Sequence, residues 1–568
     1  MAKYLITSAL PYINGIKHLG NLVGSMLPAD VYARYLRQRG HDVLYICATD
    51  EHGTPAELAA SAARLPVAEF CRQQHELQAA VYTGFGLSFD HFGRSSSPQN
   101  HELTQHFGHR LFDNGFIEER VVKQFYSPVD GRFLPDRYVI GTCPHCGYEA
   151  ARGDQCENCT RLLDPIDLIE PRSAVSGSRE LEVRDSKHLF FLQSKLAGEL
   201  RDWIESRQGW PTLTTSIALK WLNEGLGDRG ITRDLEWGVP VDCDGFEGKV
   251  YYVWFDAPIE YIGATREWSD IDPERRDWKS WWYDADEVSY VQFMAKDNIP
   301  FHTIMFPGMI MGTREPWKLA DHIKGFNWLN YYGGKFSTSR QYGIFMDAAL
   351  DLLPADYWRY FLIANAPESD DASFTWELFS AQVNKDLADT LGNFVNRVLT
   401  FSAKRFGDQV PEGGAAGEPE RLLGEQMAAL LHEYEAQLQG LQFRKAAQQL
   451  RAMWSAANVY LEQKAPWLQI REDPAAAAVT LRTGMNLIYL FGLISEPVIP
   501  AAARTLQQVW GGQDVACGST RWPDAEAVKR LDWLASGRPF QVPPVLFRKV
   551  TDDDVAAWRE RFGAEPTP

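Results

Sequence analysis

The first fifty residues change hydrophobic period twice. An apolar run from Tyr4 to Thr7 has the length of a strand, and a polar loop holding Pro11, Asn14 and Gly15 follows over Ser8 to Lys17. From about His18 to Arg39, the apolar positions Leu22, Val23, Met26, Leu27, Val31, Tyr35 and Leu36 recur about every 3.6 residues, predicting a helix that Gly40 stops. A second strand is predicted over Val43 to Ala48. Strand, helix and strand in that order imply parallel pairing, hence an α/β core built on a doubly wound sheet. Ligands of such sheets sit beyond the carboxyl ends of the strands. The polar clusters around His18 and around Asp50-Glu51-His52-Gly53 fall at that edge.

The rhythm breaks between about 120 and 230. Tyr126 to Pro135 has hairpin chemistry with Asp130-Gly131 at its turn, so this stretch is read as an insertion between two halves of one sheet. The parallel pattern is expected to resume at Val250 to Asp256 and at Tyr290 to Met294. From about Ser369 the chain reads as almost wholly helical. One long run covers 376–406, a Gly/Pro-rich loop follows over Pro411 to Pro419, and helices are predicted over 421–438, 443–464, 475–494 and 498–510.

Composition narrows the class. The 568 residues carry 57 Lys and Arg against 75 Asp and Glu, a net charge of −18, which argues against a general nucleic-acid coat but not against a local basic patch. No run of about 18 consecutive apolar residues is present and the N-terminus lacks a signal pattern, so a cytoplasmic protein without membrane contact is expected. Of eight cysteines, Cys47, Cys71, Cys243 and Cys517 are scattered and expected to be small buried hydrophobes. The other four form two Cys-x-x-Cys knuckles, Cys143 with Cys146 and Cys156 with Cys159. Each knuckle turns two thiolates toward one point, and two complete a tetrahedral Zn²⁺ shell. A closed four-sulfur shell leaves no open position, so one structural zinc per chain is expected.

Two glycine patterns point in opposite directions. Gly225, Gly227 and Gly230 match Gly-x-Gly-x-x-Gly but follow a helix-like run, the wrong context for a dinucleotide loop. No P-loop pattern is present. Lys17-His18-Leu19-Gly20-Asn21, by contrast, follows a strand and opens a helix, whose free N–H groups attract phosphate. Far along the chain, Gly333-Gly334-Lys335-Phe336-Ser337-Thr338-Ser339 is a glycine-hinged, hydroxyl-rich loop with one lysine, able to close over a triphosphate.

These two elements in a split sheet resemble the two signature motifs of class I aminoacyl-tRNA synthetases, in the form found in the methionyl-tRNA synthetase family. The likeness extends through Ala48 to Pro55, Val253 to Tyr261, Ala295 to His302, the cysteine knuckles, Asn393 to Arg397 and Ala465-Pro466-Trp467. It implies a Rossmann-like sheet split by a zinc-binding insertion and followed by a C-terminal α-helical bundle. The implied divisions are 1–115 and 230–345 for the catalytic halves, 116–229 for the insertion, 346–385 for a stem-contact region and 386–568 for anticodon binding. The implied partners are ATP with Mg²⁺, L-methionine, and the acceptor end and anticodon of methionine tRNA.

Carried over position by position, the resemblance makes His18, Asn21 and Lys335 catalytic. It places ATP on His18, Gly20, Asn21, Lys335, Ser337 and Thr338, and methionine on Leu10, Tyr12, Asp50, Trp254, Ala257, Pro258, Tyr261 and His302. The anticodon falls to Asn393, Arg397 and Trp467. Two departures stand out: Asn21 replaces a second histidine, and Thr338 replaces a second loop lysine, whose charge Lys335, Lys296 or Arg340 is expected to supply. The alternatives are a paralogue that activates an amino acid without serving tRNA, and a tRNA-docking protein that has lost activation. The helical half argues against the first, and His18, Gly20, Lys335, Asp50 and Trp254 argue against the second. No five-stranded pattern follows residue 510, so a monomer is expected.

Overall fold

The structure, a computed structural model, describes residues 1–154, 156, 158–159, 161, 163–338, 341–511 and 521–563. Its centre is a parallel sheet of five strands: β1 Lys3–Ser8, β2 Asp42–Thr49, β3 His91–Arg94, β4 Val288–Ala295 and β5 His322–Phe326. The spatial order is β5-β4-β1-β2-β3. Chain direction across the sheet therefore reverses between β1 and β4, the place where a doubly wound sheet opens a crevice. The predicted first helix is present as one helical stretch, Leu19–Asn21, a wide turn Leu22–Met26, and Leu27–Gln38.

Two expectations about strands need correction. Val250 to Asp256 is not a core strand: Val250–Tyr251 pairs antiparallel with Thr232–Arg233, and Val253–Asp256 turns into a short helix. The strands that complete the sheet are β3 and β5, which the pattern did not signal.

The insertion between β3 and β4 folds on its own long hairpin, Ile117–Ser127 antiparallel to Glu182–Phe191. The predicted turn is present, with Gly131 at φ 68° and Arg132–Phe133 pairing back onto Tyr126 and Ser127. A small sheet of Ala151–Arg152, Val139–Thr142 and Ile169–Ser173 frames the cysteine knuckles. Glu57, on the helix that follows β2, fastens the insertion to the core. Its carboxylate accepts from the Tyr138 hydroxyl and from the backbone N–H groups of Trp237 (3.0 Å) and Glu236 (3.2 Å).

The C-terminal half is helical, with long helices Glu418–Gln439, Phe443–Lys464 and Pro474–Ile494 close to the predicted bounds. Helix Pro474–Ile494, 21 residues and strongly apolar, lies largely buried inside the bundle. The run 376–406 is helical throughout, with a wide-turn stretch at Asn384–Gly392.

Asp30 joins this bundle to the sheet. Its carboxylate accepts from Arg34 Nε (2.8 Å), Arg359 Nη2 (2.7 Å) and the Ser88 backbone N–H (2.7 Å). Arg359, 0% exposed, also donates to the carbonyls of Phe85, Pro497 and Val498, which belong to both halves. Burial alone would raise the Asp30 pKa, but Arg34 and Arg359 outweigh it and hold the carboxyl well below the usual range. A depressed folded-state pKa means that the stabilisation is complete above the unfolded value of about 3.9 and is lost as pH falls. Asp30→Asn is expected to cost about 3–5 kcal/mol at neutral pH, since it removes the carboxylate charge that the buried Arg34 and Arg359 guanidinium groups share. Urea unfolding should show that cost, and the gap from the parent should narrow below about pH 4.

Candidate active site

β1 and β4 end side by side, and the loops that leave them diverge. Two contiguous cavities occupy that opening. The larger, about 420 Å³, is lined by Leu10, Tyr12, Asp50, Trp254, Ala257, Pro258, Tyr261 and His302, all eight residues predicted for the amino acid. The second is lined by His18, Gly20, Asn21, Lys335 and Thr338, and the two share Ala9, Leu10, Tyr12, Asn14, Asp297 and Asn298.

The larger cavity has apolar and aromatic walls on the side of Leu10, Trp254 and Tyr261, charged residues on the side of the insertion, and Asp50 as its buried acid. Tyr12 and Asp50 are held together by backbone bonds, Asp50 N–H to Pro11 O and Ile13 N–H to Asp50 O, both 2.9 Å. At Gly53, φ is 87°, a value that suits glycine, and the turn there starts the next helix beside Val253. Asp50 Oδ1 is buried without a hydrogen-bond partner. Burial, with Asp256 and Glu51 nearby, raises the Asp50 pKa well above the carboxylate range; Lys17 opposes that shift. A cation bound beside it would favour its charged form and lower that pKa. Trp254 Nε1 donates to the Tyr12 hydroxyl at 3.1 Å, and the Trp254 ring packs 4.5 Å from Phe301.

His302 is neutral. Burial lowers its pKa to about 4. Nδ1–H donates to the Asn298 carbonyl (2.9 Å), which leaves Nε2 to accept from the Tyr261 hydroxyl at 2.9 Å. With its polar atoms thus engaged, the pair presents an uncharged, polarizable wall.

At the second cavity, His18 caps the helix that follows β1. The Asn21 N–H donates to His18 Nδ1 and the His18 N–H donates to Asn21 Oδ1, each at 3.3 Å. Nδ1 therefore accepts, and the ring proton resides on Nε2, a free donor. Burial, reinforced by Lys17 and Lys335, lowers the His18 pKa to about 3, so the ring is a neutral donor at physiological pH. It stacks on Phe336 at 4.9 Å. The backbone N–H of residue 21 thus fixes the tautomer of His18, while the Asn21 side chain accepts from the His18 backbone N–H, a bond that needs no charge. A Cβ at Gly20 would lie 3.1 Å from His18 Nδ1, so this glycine makes room for the histidine ring itself.

The loop residues divide. Lys335 Nζ lies 3.9 Å over the Trp328 ring, at the rim. Lys296 lies 4.1 Å over the same indole but is paired with Asp371 at 2.7 Å. Thr338 lines the cavity, whereas Ser337 does not: its backbone bridges Tyr342. Arg340 and Ser339 lie outside the described residues.

Comparison with known proteins agrees with this geometry. Residues 4–399 match the family described as tRNA synthetases class I (M), and residues 410–567 match the anticodon binding domain of methionyl tRNA ligase. The chain belongs to the methionyl-tRNA synthetase family. Methionine–tRNA ligase of Streptomyces avermitilis is 68% identical over 100% of both chains, and that of Cereibacter sphaeroides 58% over 99% of both. A solved Mycobacterium tuberculosis methionyl-tRNA synthetase in complex with methionyl-adenylate superposes with a TM-score of 0.76 at 25% identity, covering 96% of this chain and all of that one. The anticodon-domain match disfavours the paralogue that serves no tRNA.

The synthetase's helical domain brings two of the three expected anticodon residues together. The Arg397 guanidinium lies 4.5 Å over the Trp467 ring, and exposed Asn393 is one helical turn away. Trp467 sits at a break, where Ala465 (φ 42°) ends one helix and Pro466 starts the next. Sequence reasoning missed that the insertion itself walls the larger cavity, through Asp136, Arg137, Asp154 and Arg229. For Asp136, Arg137 and Asp154 the signal was only nearness in sequence to the knuckles, and Arg229 carried none. It did dismiss the right glycine motif: Gly225 ends helix Thr212–Glu224 and Gly230 lies in a strand.

The four clustered cysteines can hold a metal ion. Their sulfurs all lie within 4.8 Å of one another, with Cys143 to Cys159 at 3.9 Å and Cys146 to Cys156 at 3.6 Å. Tetrahedral bonds of about 2.3 Å place sulfurs about 3.8 Å apart, so the set fits zinc. Of the scattered cysteines, Cys47 and Cys71 are buried, Cys243 is half-buried, and Cys517 lies outside the described residues. Arg137 pairs with Asp154 at 2.8 Å between the knuckles and the cavity. Cys143→Ser is expected to release bound metal and loosen this wall, because such a site carries folding free energy. Metal analysis and faster amide exchange over 136–156 check it.

Proposed function

We propose that this synthetase attaches L-methionine to methionine tRNA at the expense of ATP, in two steps through methionyl-adenylate. The observation that carries the reading is the buried Asp50 carboxylate, whose Oδ1 accepts no hydrogen bond among the described residues, in a cavity that opens directly onto the cavity headed by His18. Methionine offers an ammonium for Asp50, a thioether for the Tyr12, Trp254, Tyr261 and His302 walls, and a carboxylate at the junction. Sulfur–aromatic contacts are worth roughly 0.3–1.5 kcal/mol each.

In the first step, a methionine carboxylate oxygen forms a bond to the α-phosphorus of ATP. The bond from that phosphorus to the bridging oxygen breaks, and pyrophosphate leaves with the electron pair. No proton moves, so the protein's work is positioning and electrostatic stabilisation. His18 Nε2–H and the helix N-terminus behind it face the phosphates, and Lys335 approaches from its loop. Mg²⁺ enters with ATP as part of the substrate. In the second step, a hydroxyl oxygen at the tRNA 3′ end forms a bond to the methionyl carbonyl carbon, the bond from that carbon to the phosphate oxygen breaks, and AMP leaves with the electron pair while the hydroxyl proton passes to the phosphate or to water. Arg397, Trp467 and Asn393 read the anticodon, since unstacked bases lie on aromatic and guanidinium planes. The knuckles hold one structural Zn²⁺, and their reduced thiols suit the cytoplasm.

Methionine-dependent ATP–pyrophosphate exchange tests the first step, and its absence from the parent protein would exclude the reading. Asp50→Ala is expected to abolish exchange while ATP still binds. Trp254→Ala should raise the methionine KM and relax discrimination against leucine. Trp467→Ala should weaken charging of methionine tRNA yet leave exchange nearly intact; equal loss of both would mark a fold defect instead.

A further inference from the structure

One cation in the nucleotide cavity has no assigned role. Lys17 is the last loop residue before His18, and its carbonyl accepts from the Met346 N–H at 2.9 Å. The residue is 5% exposed, and its Nζ donates to Asn14 Oδ1 at 2.9 Å. Asn14 lines both cavities, and Lys17 lines the second with His18, Lys335 and Thr338. Among the described residues no carboxylate pairs with this ammonium; the opposite charge it feels is Asp50. Asp50 is spoken for by the substrate's own ammonium in the reading above. Burial lowers the Lys17 pKa to about 7, as befits a cation short of counter-charge.

A buried charge is tolerated only when something compensates it. Here the missing compensation coincides with a missing cation. The loop carries Thr338 where a second lysine is expected, and Lys296 is already neutralised by Asp371. We propose that Lys17 is a catalytic residue whose ammonium, held by Asn14, contacts the phosphate oxygens of ATP and supplies positive charge in the cavity where the loop presents the uncharged Thr338. The ammonium sits beside His18, so both donors converge on the oxygens where charge develops as pyrophosphate leaves. A phosphate rather than the methionine carboxylate is the assigned partner, because Lys17 lines the His18 cavity and not the Asp50 cavity.

This inference rests on the adenylate-forming reading, and the test separates the two. Lys17→Met keeps the side-chain volume and removes the charge. Exchange should fall by about 10²–10³ in kcat, the usual loss of one transition-state donor. Methionine binding without ATP, followed by tryptophan fluorescence, should stay within about twofold, and Lys17→Arg should retain more activity than Lys17→Met. Lys17→Gln should lose the same factor if Lys17→Met proves unstable in a thermal melt. Exchange within about threefold of the parent in either neutral variant overturns the assignment. So does a parallel loss of methionine binding, which would give the ammonium to the methionine carboxylate. If the parent itself shows no methionine-dependent exchange, the proposed function fails first, independently of Lys17.

Discussion

Asp30 is the charge on which the two halves of the molecule rest. It lies on the helix that begins at His18, and it neutralises Arg34 from the same helix and Arg359 from the segment leading into the bundle. Arg359 spends its remaining donors on carbonyls at 85, 497 and 498, so one buried guanidinium spans the first helix of the sheet and the last long helices of the bundle. Gln38, at the far end of the same helix, adds bonds to the Leu493 carbonyl and to Glu496. The helix whose first residue caps with His18 is therefore fixed at both ends. One end faces the nucleotide cavity and the other abuts the domain matched to anticodon binding. Buried ion pairs contribute little net stability compared with apolar packing, but breaking one is costly. Here that asymmetry makes the relative placement of the halves specific.

The same logic, run in reverse, explains the site. Between the halves, Asp30 and Arg359 compensate each other; at the crevice, two buried ionisable groups lack an opposite charge in direct contact among the described residues. Asp50 Oδ1 accepts nothing and Lys17 has only a neutral amide. Their opposite signs suit the ammonium of methionine and the phosphates of ATP in the proposed reaction, and their two cavities are contiguous. The surrounding histidines are held neutral, at about 3 for His18 and about 4 for His302, so neither adds stray charge to that arrangement.

Much of this was legible in the sequence, unevenly and for physical reasons. β1, β2 and β4 are buried apolar runs of strand length, and the first helix has a clean period. β3 has four residues of which only Gly93 is buried, so it carries no alternation. β5 hides a lysine: Lys324 is buried in the strand, paired with Glu368 at 2.8 Å across to the following segment, and that charge interrupts the apolar run. Val250 to Asp256 misled in the other direction. Its aromatic and β-branched residues favour a strand, but their burial is used in a short helix that turns Trp254 into the cavity. Roles were harder to read than positions. Gly20 lines the second cavity and also leaves room for the His18 ring, and the backbone of Ser337 bridges Tyr342. A one-dimensional motif records which residues must be near, not which of them touches what.

The insertion illustrates the last point at larger scale. Read along the chain it is an interruption between two halves of a sheet. In space its cysteine knuckles stand behind Arg137 and Asp154, whose ion pair forms part of the cavity wall, and Glu57 clamps the same segment to the helix that leaves the Asp50 loop. A metal placed there would set the position of that wall through a rigid four-sulfur shell, without touching the substrate. A closed shell can take no part in bond making, so its contribution to catalysis must be geometric. Asp50 and the wall opposite it are thereby referred to one anchor, Glu57, and the width of the larger cavity depends on how firmly the insertion is folded.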